Sequence, residues 1–266
     1  MAIELLKKMI GIHHQSNVKP LKNLSYTGSE RHGYMVPDNF LTSDSICYCV
    51  GAGEDISFDT ELKIKFGADI YIFDPSPYGI NHFNEVKEYV TNGTPTTLDK
   101  TLAPYNYKIT AKQFDEIKFI PVGLWDEKKT LKFYDPEREN YSSHSAYLFT
   151  DSKSFIEAPV DRLINLMKEL KHAHIDLLKI EIEGAEYKVI DTIVKDKLDV
   201  KAILVEFDEI YNSSGKSFHF RIKRSCRQLK KAGYILAHST VALKRLFIKK
   251  DVYDQLKKLE LNGKDH

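Results

Sequence analysis

The sequence has few cysteines, one tryptophan, no long apolar run and almost no excess charge, and each shortage excludes something. Cys47, Cys49 and Cys226 are too few and too poorly spaced for a disulfide framework, and the first two fall inside an apolar run where thiols act as small hydrophobes. No segment reaches the roughly twenty apolar residues that a membrane span requires. The opening stretch, MAIELLKKMIGIHH, lacks the long apolar core and small-residue cleavage site of a secretory leader. A reduced, soluble, cytoplasmic protein is therefore expected. Lys and Arg total 39 against 38 Asp and Glu, a net charge of +1, so the balance advertises neither nucleic acid nor an anionic membrane. A small or neutral substrate is the simpler expectation. Internal repeats and low-complexity tracts are also missing, and the chain leaves oligomeric state unstated.

What is present is a chain of 266 residues, 42% hydrophobic, enough for one substantial core. Residues 1–40 read as an extension, a short amphipathic helix over Ala2–Ile10 followed by polar, turn-rich chain, packing on a domain over 41–266. From Ser45 onward, short apolar runs alternate with helical periodicities, the pattern of a doubly wound α/β fold with a parallel sheet. The runs Ile46–Val50, Ile70–Phe73, Phe119–Val122, Leu177–Ile182 and Ala202–Phe207 have strand length and the continuous apolar character of strands covered on both faces. Helical stripes lie between them: Phe58, Leu62 and Phe66; Ile80, Phe83, Val86 and Val90; Val160, Leu163, Ile164, Met167 and Leu170; and Ala185, Val189, Ile190 and Ile193. A helix carrying Phe218, Ile222, Cys226 and Leu229 leads into Tyr234–Ala237 and Leu246–Ile248. Two strands so close in sequence, with no crossover helix, must be antiparallel. The expectation is about seven strands, mostly parallel and ending in an antiparallel hairpin. Thr91–Tyr107 reads as a long loop.

The first strand runs into Gly51-Ala52-Gly53-Glu54-Asp55, and a helix begins near Ile56 or Ser57. Glycines at such a turn let the backbone approach a ligand, and the helix start presents free N–H groups. Asp74 ends the next strand roughly twenty residues further on, where a carboxylate accepts hydrogen bonds from ribose hydroxyls. The dinucleotide fingerprint wants a third glycine where Ile56 stands, and Glu54 and Asp55 would repel a pyrophosphate. Both departures favour S-adenosylmethionine over NAD(P), leaving an oxidoreductase as the alternative enzyme and a non-catalytic binding relative as the alternative to an enzyme.

The segments Val50 to Asp59, Phe73-Asp74-Pro75-Ser76-Pro77 and Leu178-Lys179-Ile180-Glu181-Ile182-Glu183-Gly184-Ala185-Glu186 resemble the motifs of FkbM-like methyltransferases. The likeness covers about Gly33 to Ile248. It implies a class I, Rossmann-like methyltransferase fold, S-adenosylmethionine as donor, and an oxygen of a sugar or other small metabolite as acceptor, such as a precursor of surface polysaccharide. Glu181 departs from the aspartate the family more often carries. By the same resemblance the Gly123-Leu124-Trp125 turn lies beside the adenine, with Trp125 either stacking there or filling core.

Ligands of open parallel sheets sit beyond the carboxyl ends of the strands. Candidate donor contacts are therefore Gly51, Ala52, Gly53, Asp55, Asp74, Pro75, Ser76, Gly123, Leu124, Trp125, Glu181 and Glu183. Methylating a hydroxyl needs close placement of the reactants and a base for the acceptor proton. His144, His219 and Asp208 follow strand ends and are the candidates for that chemistry. Glu206 interrupts an apolar strand and must find a partner if buried. Glu181, Glu206 and Asp208 lack a spacing that demands a cation, so no metal is expected. His13, His14, His172 and His174 read as solvated. The basic run Arg221, Lys223, Arg224, Arg227, Lys230 and Lys231 reads as the wet face of an amphipathic helix. With no Asn/Asp-Pro-Pro-Tyr/Phe motif either, nucleic acid is not expected as a substrate.

Overall fold

The computed structural model describes residues 18–93, 105–134, 155–207, 218–240 and 244–262. Its centre is a seven-stranded sheet. Five of the strands are β3 (Ile46–Val50), β4 (Asp69–Phe73), β5 (Lys118–Ile120), β9 (Ile175–Ile180) and β10 (Val200–Glu206), all mutually parallel. The remaining two are β11 (Tyr234–Ser239) and β12 (Lys244–Lys249). The order across the sheet is β11-β12-β10-β9-β3-β4-β5, so β12 inserts between β10 and β11, antiparallel to both. β9 and β3 come from distant chain segments and pair at the centre. Their neighbouring carboxyl ends form the switch point at which a doubly wound sheet opens a crevice.

The helices are α1 (Ser57–Phe66), α2 (Pro77–Asn92), α3 (Ala111–Asp115), α4 (Leu163–Glu169), α5 (Glu186–Lys195), α6 (Phe218–Lys231) and α7 (Lys250–Asn262). Helices cover both faces, which explains why β9 is buried at every position and reads as an unbroken run. One core holds Phe58, Leu62, Ile72, Leu177, Leu204 and Leu246. The other, across the sheet, holds Tyr48, Phe73, Leu166, Leu178, Ile190, Phe247 and Leu229. Cys47 and Cys49 are fully buried free thiols within the first strand of the parallel sheet. No helix among the described residues is long and apolar enough to cross a membrane.

Two features depart from the periodicity. A small second sheet is built from β6 (Gly123–Leu124), β7 (Lys129–Tyr134) and β8 (Phe155–Asp161), in the order β6-β8-β7. Val160 therefore belongs to β8, and helix α4 begins only at Leu163. Exposed charged residues on β7, and Pro159 in β8, hide these strands from a search for apolar runs. The second departure is a hairpin of β1 (Leu24–Thr27) and β2 (Tyr34–Pro37), antiparallel, whose Tyr34 and Val36 join the main core. The helix expected over Ala2–Ile10 lies outside the described residues.

His172, expected to be solvated, is half-buried. Its ring lies 4.8 Å from that of Tyr71, and its Nδ1 meets the Tyr48 hydroxyl at 2.7 Å. His174 instead lies beside Asp176, at 3.3 Å.

Candidate active site

The two glycines after β3 serve different ends. Gly51 has φ +90°, and a Cβ built on it would lie 1.9 Å from the Glu181 carbonyl oxygen. Only glycine fits where the end of β3 presses against the end of β9, while the Gly51 N–H donates to the Phe73 carbonyl at 2.9 Å. Gly53 has φ +50°, and a Cβ there would meet nothing within 4 Å. Its backbone faces open space.

Asp74, 6% exposed, organises this turn. Its Oδ2 accepts from the N–H groups of Ala52 at 2.8 Å and Gly53 at 2.9 Å, and its Oδ1 from Ser76 N–H at 2.8 Å. The sequence suggested an acceptor for a ribose; the structure adds a clamp on the glycine turn. An ionised carboxylate offers about four acceptor positions, so three bonds leave one for a ligand hydroxyl. Ser76 caps α2 by accepting from Gly79 N–H at 3.1 Å. Pro75 packs on Gly123, where an added Cβ would lie 3.0 Å from the proline Cγ. The ends of β3 and β4 and the start of β6 thus come together. Leu124 and Trp125 are buried, and Trp125 sits with Val160 and Ala185 while the ammonium groups of Lys188 and Lys129 lie 4.8 Å and 5.6 Å from its ring centre.

Ile56, at the N-cap of the helix beyond the turn, offers no side-chain acceptor of its own. Ile56 N–H donates instead to the Tyr107 hydroxyl at 3.2 Å, which also meets His82 Nε2 at 3.0 Å. Burial pushes His82 down to about 4, so its ring is neutral near pH 7. Asp55 faces elsewhere, accepting from Ser57 N–H at 2.7 Å and from the Ser29 hydroxyl at 2.6 Å.

The turn after β9 is strained and internally capped. Glu183 adopts φ +52°, unusual for a side chain with a Cβ, and Gly184 follows at +101°. Buried Glu186 accepts from the N–H groups of Ile182 at 2.9 Å and Gly184 at 3.0 Å. Burial pushes its carboxyl up to about 8, against those N–H groups and with Glu183 adding to the rise.

Beside Gly51 lies a cluster largely missed from sequence. Buried Lys179 donates to the Gly51 carbonyl at 2.5 Å and pairs with Glu181 at 2.9 Å. The Tyr34 hydroxyl lies 2.9 Å from Glu181 Oε2 and 3.3 Å from Glu206 Oε2. Lys244 pairs with Glu206 at 3.2 Å, and His32 approaches Glu181 at 3.6 Å. The two carboxylates are driven apart: burial opposes ionisation of Glu181, but Lys179 and His32 hold it far below the usual range. Burial and the charge of Glu181 push Glu206 up to about 7, with Lys244 opposing. Two neighbouring carboxyls with separated pKa values are the arrangement of an acid/base site. Lys179 was legible as a lone cation in an apolar strand. Tyr34, His32 and Lys244 carry no such signal, since they are distant in sequence.

His219 lies in the first turn of α6, its pKa lowered by burial. His144 and Asp208 lie outside the described residues. Among the described residues, no group of three or more His, Cys, Asp or Glu side chains is placed to hold a metal ion.

Comparison with known proteins gives a match to the FkbM methyltransferase domain over residues 45–236. No curated protein sequence matches. A solved structure similar in outline is the fibrillarin pre-rRNA processing protein of Methanococcus jannaschii, 11% identical, with a TM-score of 0.40 over 88% of this chain and 87% of that one.

Proposed function

This chain belongs to the FkbM methyltransferase family, and from that premise we propose that it transfers a methyl group from S-adenosylmethionine to a hydroxyl oxygen of a small metabolite. The acceptor we infer is sugar-related or phosphorylated, such as a cytoplasmic precursor of surface polysaccharide. The observation that carries this reading is the convergence, at the carboxyl ends of the central strands, of the glycine turn and Asp74 with the Tyr34-bridged pair Glu181 and Glu206.

The residues present fit the donor. The open side of Gly53 admits a ligand against bare backbone, and Asp74 keeps one acceptor position for a ribose hydroxyl. Pro75, Ser76, Gly123 and Leu124 would flank the adenosine, while Glu181 and Glu183 would meet the ammonium group. When bound, S-adenosylmethionine supplies an electrophilic methyl on a sulfonium. Glu206, half ionised near neutrality, would take the proton an acceptor hydroxyl loses, with Lys244 and Tyr34 holding it in position. His219 stands as a second candidate for that proton.

Titration calorimetry with adenosylmethionine tests the donor half. Micromolar binding is expected, and Asp74→Ala should weaken it by about tenfold or more, since the turn loses its clamp and the ligand an acceptor. No binding, or an affinity indifferent to Asp74, would overturn the proposal.

A further inference from the structure

Each other described helix carries at least one Asp or Glu, whereas α6 carries none and six Lys or Arg. Ile222, Ser225 and Leu229 are buried on its inner side, which fixes the outward face. A helix turns about 100° and rises about 1.5 Å per residue, so Phe220, Arg227 and Lys231 form one outward line roughly 16 Å long. Lys223 and Lys230 flank it on one side and Arg224 on the other. Phe220 leaves 78% of its surface exposed, more than any other large apolar side chain among the described residues. Arg224 reaches Asp191 at 3.2 Å, while Lys223, Arg227, Lys230 and Lys231 make no ion pair among the described residues. The whole chain has a net charge of only +1, so this excess is local.

We propose that the outward face of α6 rests on an anionic lipid bilayer, its cations against the headgroups and Phe220 among them. Adsorption of this kind needs neither donor nor acceptor, so it stands apart from the methyltransferase reading.

Charge and one apolar ring are what such a surface selects. Each Lys or Arg brought to an anionic leaflet is worth about fivefold in partitioning, so several on one face hold a chain that a single cation does not. An exposed Phe in line with them gains by leaving water at the level of the headgroups. Nucleic acid is a poorer fit, because the line and its flanks offer no Ser, Thr, Asn or Gln, the side chains that help fix register on a phosphate backbone. The placement also has a consequence for the active site. α6 runs into β11, which lies parallel to β10, so the first turn of α6 stands on the side of the strands' carboxyl ends, where Arg221 lies 5.7 Å over the Tyr187 ring. A chain resting on this face holds the candidate active site close to the bilayer.

Flotation of the full chain with large vesicles tests this. The chain should bind phosphatidylcholine vesicles containing about 30% phosphatidylglycerol and not phosphatidylcholine alone, and binding should fall about tenfold or more between roughly 50 and 300 mM NaCl. Reversing the face with Lys223→Glu, Arg227→Glu and Lys231→Glu together should lower it by about tenfold or more. Lys87→Glu, Lys112→Glu and Lys258→Glu together make the same change in net charge on exposed lysines of other helices, and should leave binding within about threefold. Both triple variants should keep the parent's urea midpoint. Phe220→Ser, which keeps every charge, should weaken binding by about fivefold at either salt concentration. The proposal is overturned if the two kinds of vesicle bind alike or if the two triple variants lose binding equally. It is equally overturned if Phe220→Ser and the reversed face both bind like the parent, or if a DNA duplex or RNA hairpin binds more tightly than the anionic vesicles at the same salt.

Discussion

At the scale of single residues, the glycine turn separates folding from binding. Gly51→Ala drives a Cβ into the Glu181 carbonyl at a φ of +90°, so a loss of about 3 kcal/mol or more is expected in denaturant unfolding. Gly53→Ala, at φ +50° with open space around it, should cost only about 1–2 kcal/mol, yet weaken donor binding, because the added methyl occupies the side on which a ligand meets bare backbone. Equal stability losses in the two variants, or normal donor affinity in the second, would contradict this division. Glu206 makes a kinetic prediction. A base pushed up to about 7 must lose its proton to act, so turnover should rise with pH through that value. Glu206→Gln should remove this limb of the profile as well as lower the rate, which a merely structural role would not do.

At the scale of elements, the hairpin is held to the start of α1 by side chains. Gly28 N–H donates to Glu61 at 2.6 Å, Ser29 N–H donates to the Ser57 hydroxyl at 2.7 Å, and the Ser29 hydroxyl reaches Asp55. Glu61 also accepts from the Tyr105 hydroxyl. Glu61→Ala strands two donors and should cost about 1–3 kcal/mol. Hydrogen exchange should quicken over Gly28–Tyr34 while β3 and β9 keep their protection; exchange unchanged in the hairpin would show that its packing alone holds it. The same element marks the limit of what the sequence displays. Strands buried on both faces, the glycine turn and Asp74 announce themselves through local composition. Tyr34 meets Glu181 only because β2 packs over the sheet, and that pairing across 147 residues leaves no local trace. β7 stayed hidden for a related reason: its exposed lysines erase the apolar run by which β9 is recognised.

At the scale of the whole molecule, the buried carboxyls set how stability responds to pH. Glu186 and Glu206 are pushed up to about 8 and about 7, in each case chiefly by burial, from an ordinary value of 4.5. Between those limits the folded chain holds protons that the unfolded chain has released, so stability falls as pH rises through the window. Carboxylates shifted down act in the opposite sense. Asp199, lowered chiefly by its bond to Lys249, and Glu181, held down by Lys179 against its burial, contribute stability that is lost as pH falls through their folded values. The two trends leave the maximum on the acid side of neutrality. Unfolding midpoints in urea should be higher at about pH 6 than at about pH 8.5, and Glu186→Gln should flatten that decline, because the amide oxygen can still accept from Ile182 and Gly184 but carries no charge to bury. A midpoint that stays level or rises over this range in the parent chain would mean that Glu186 is already ionised in the fold, its backbone N–H donors outweighing its burial.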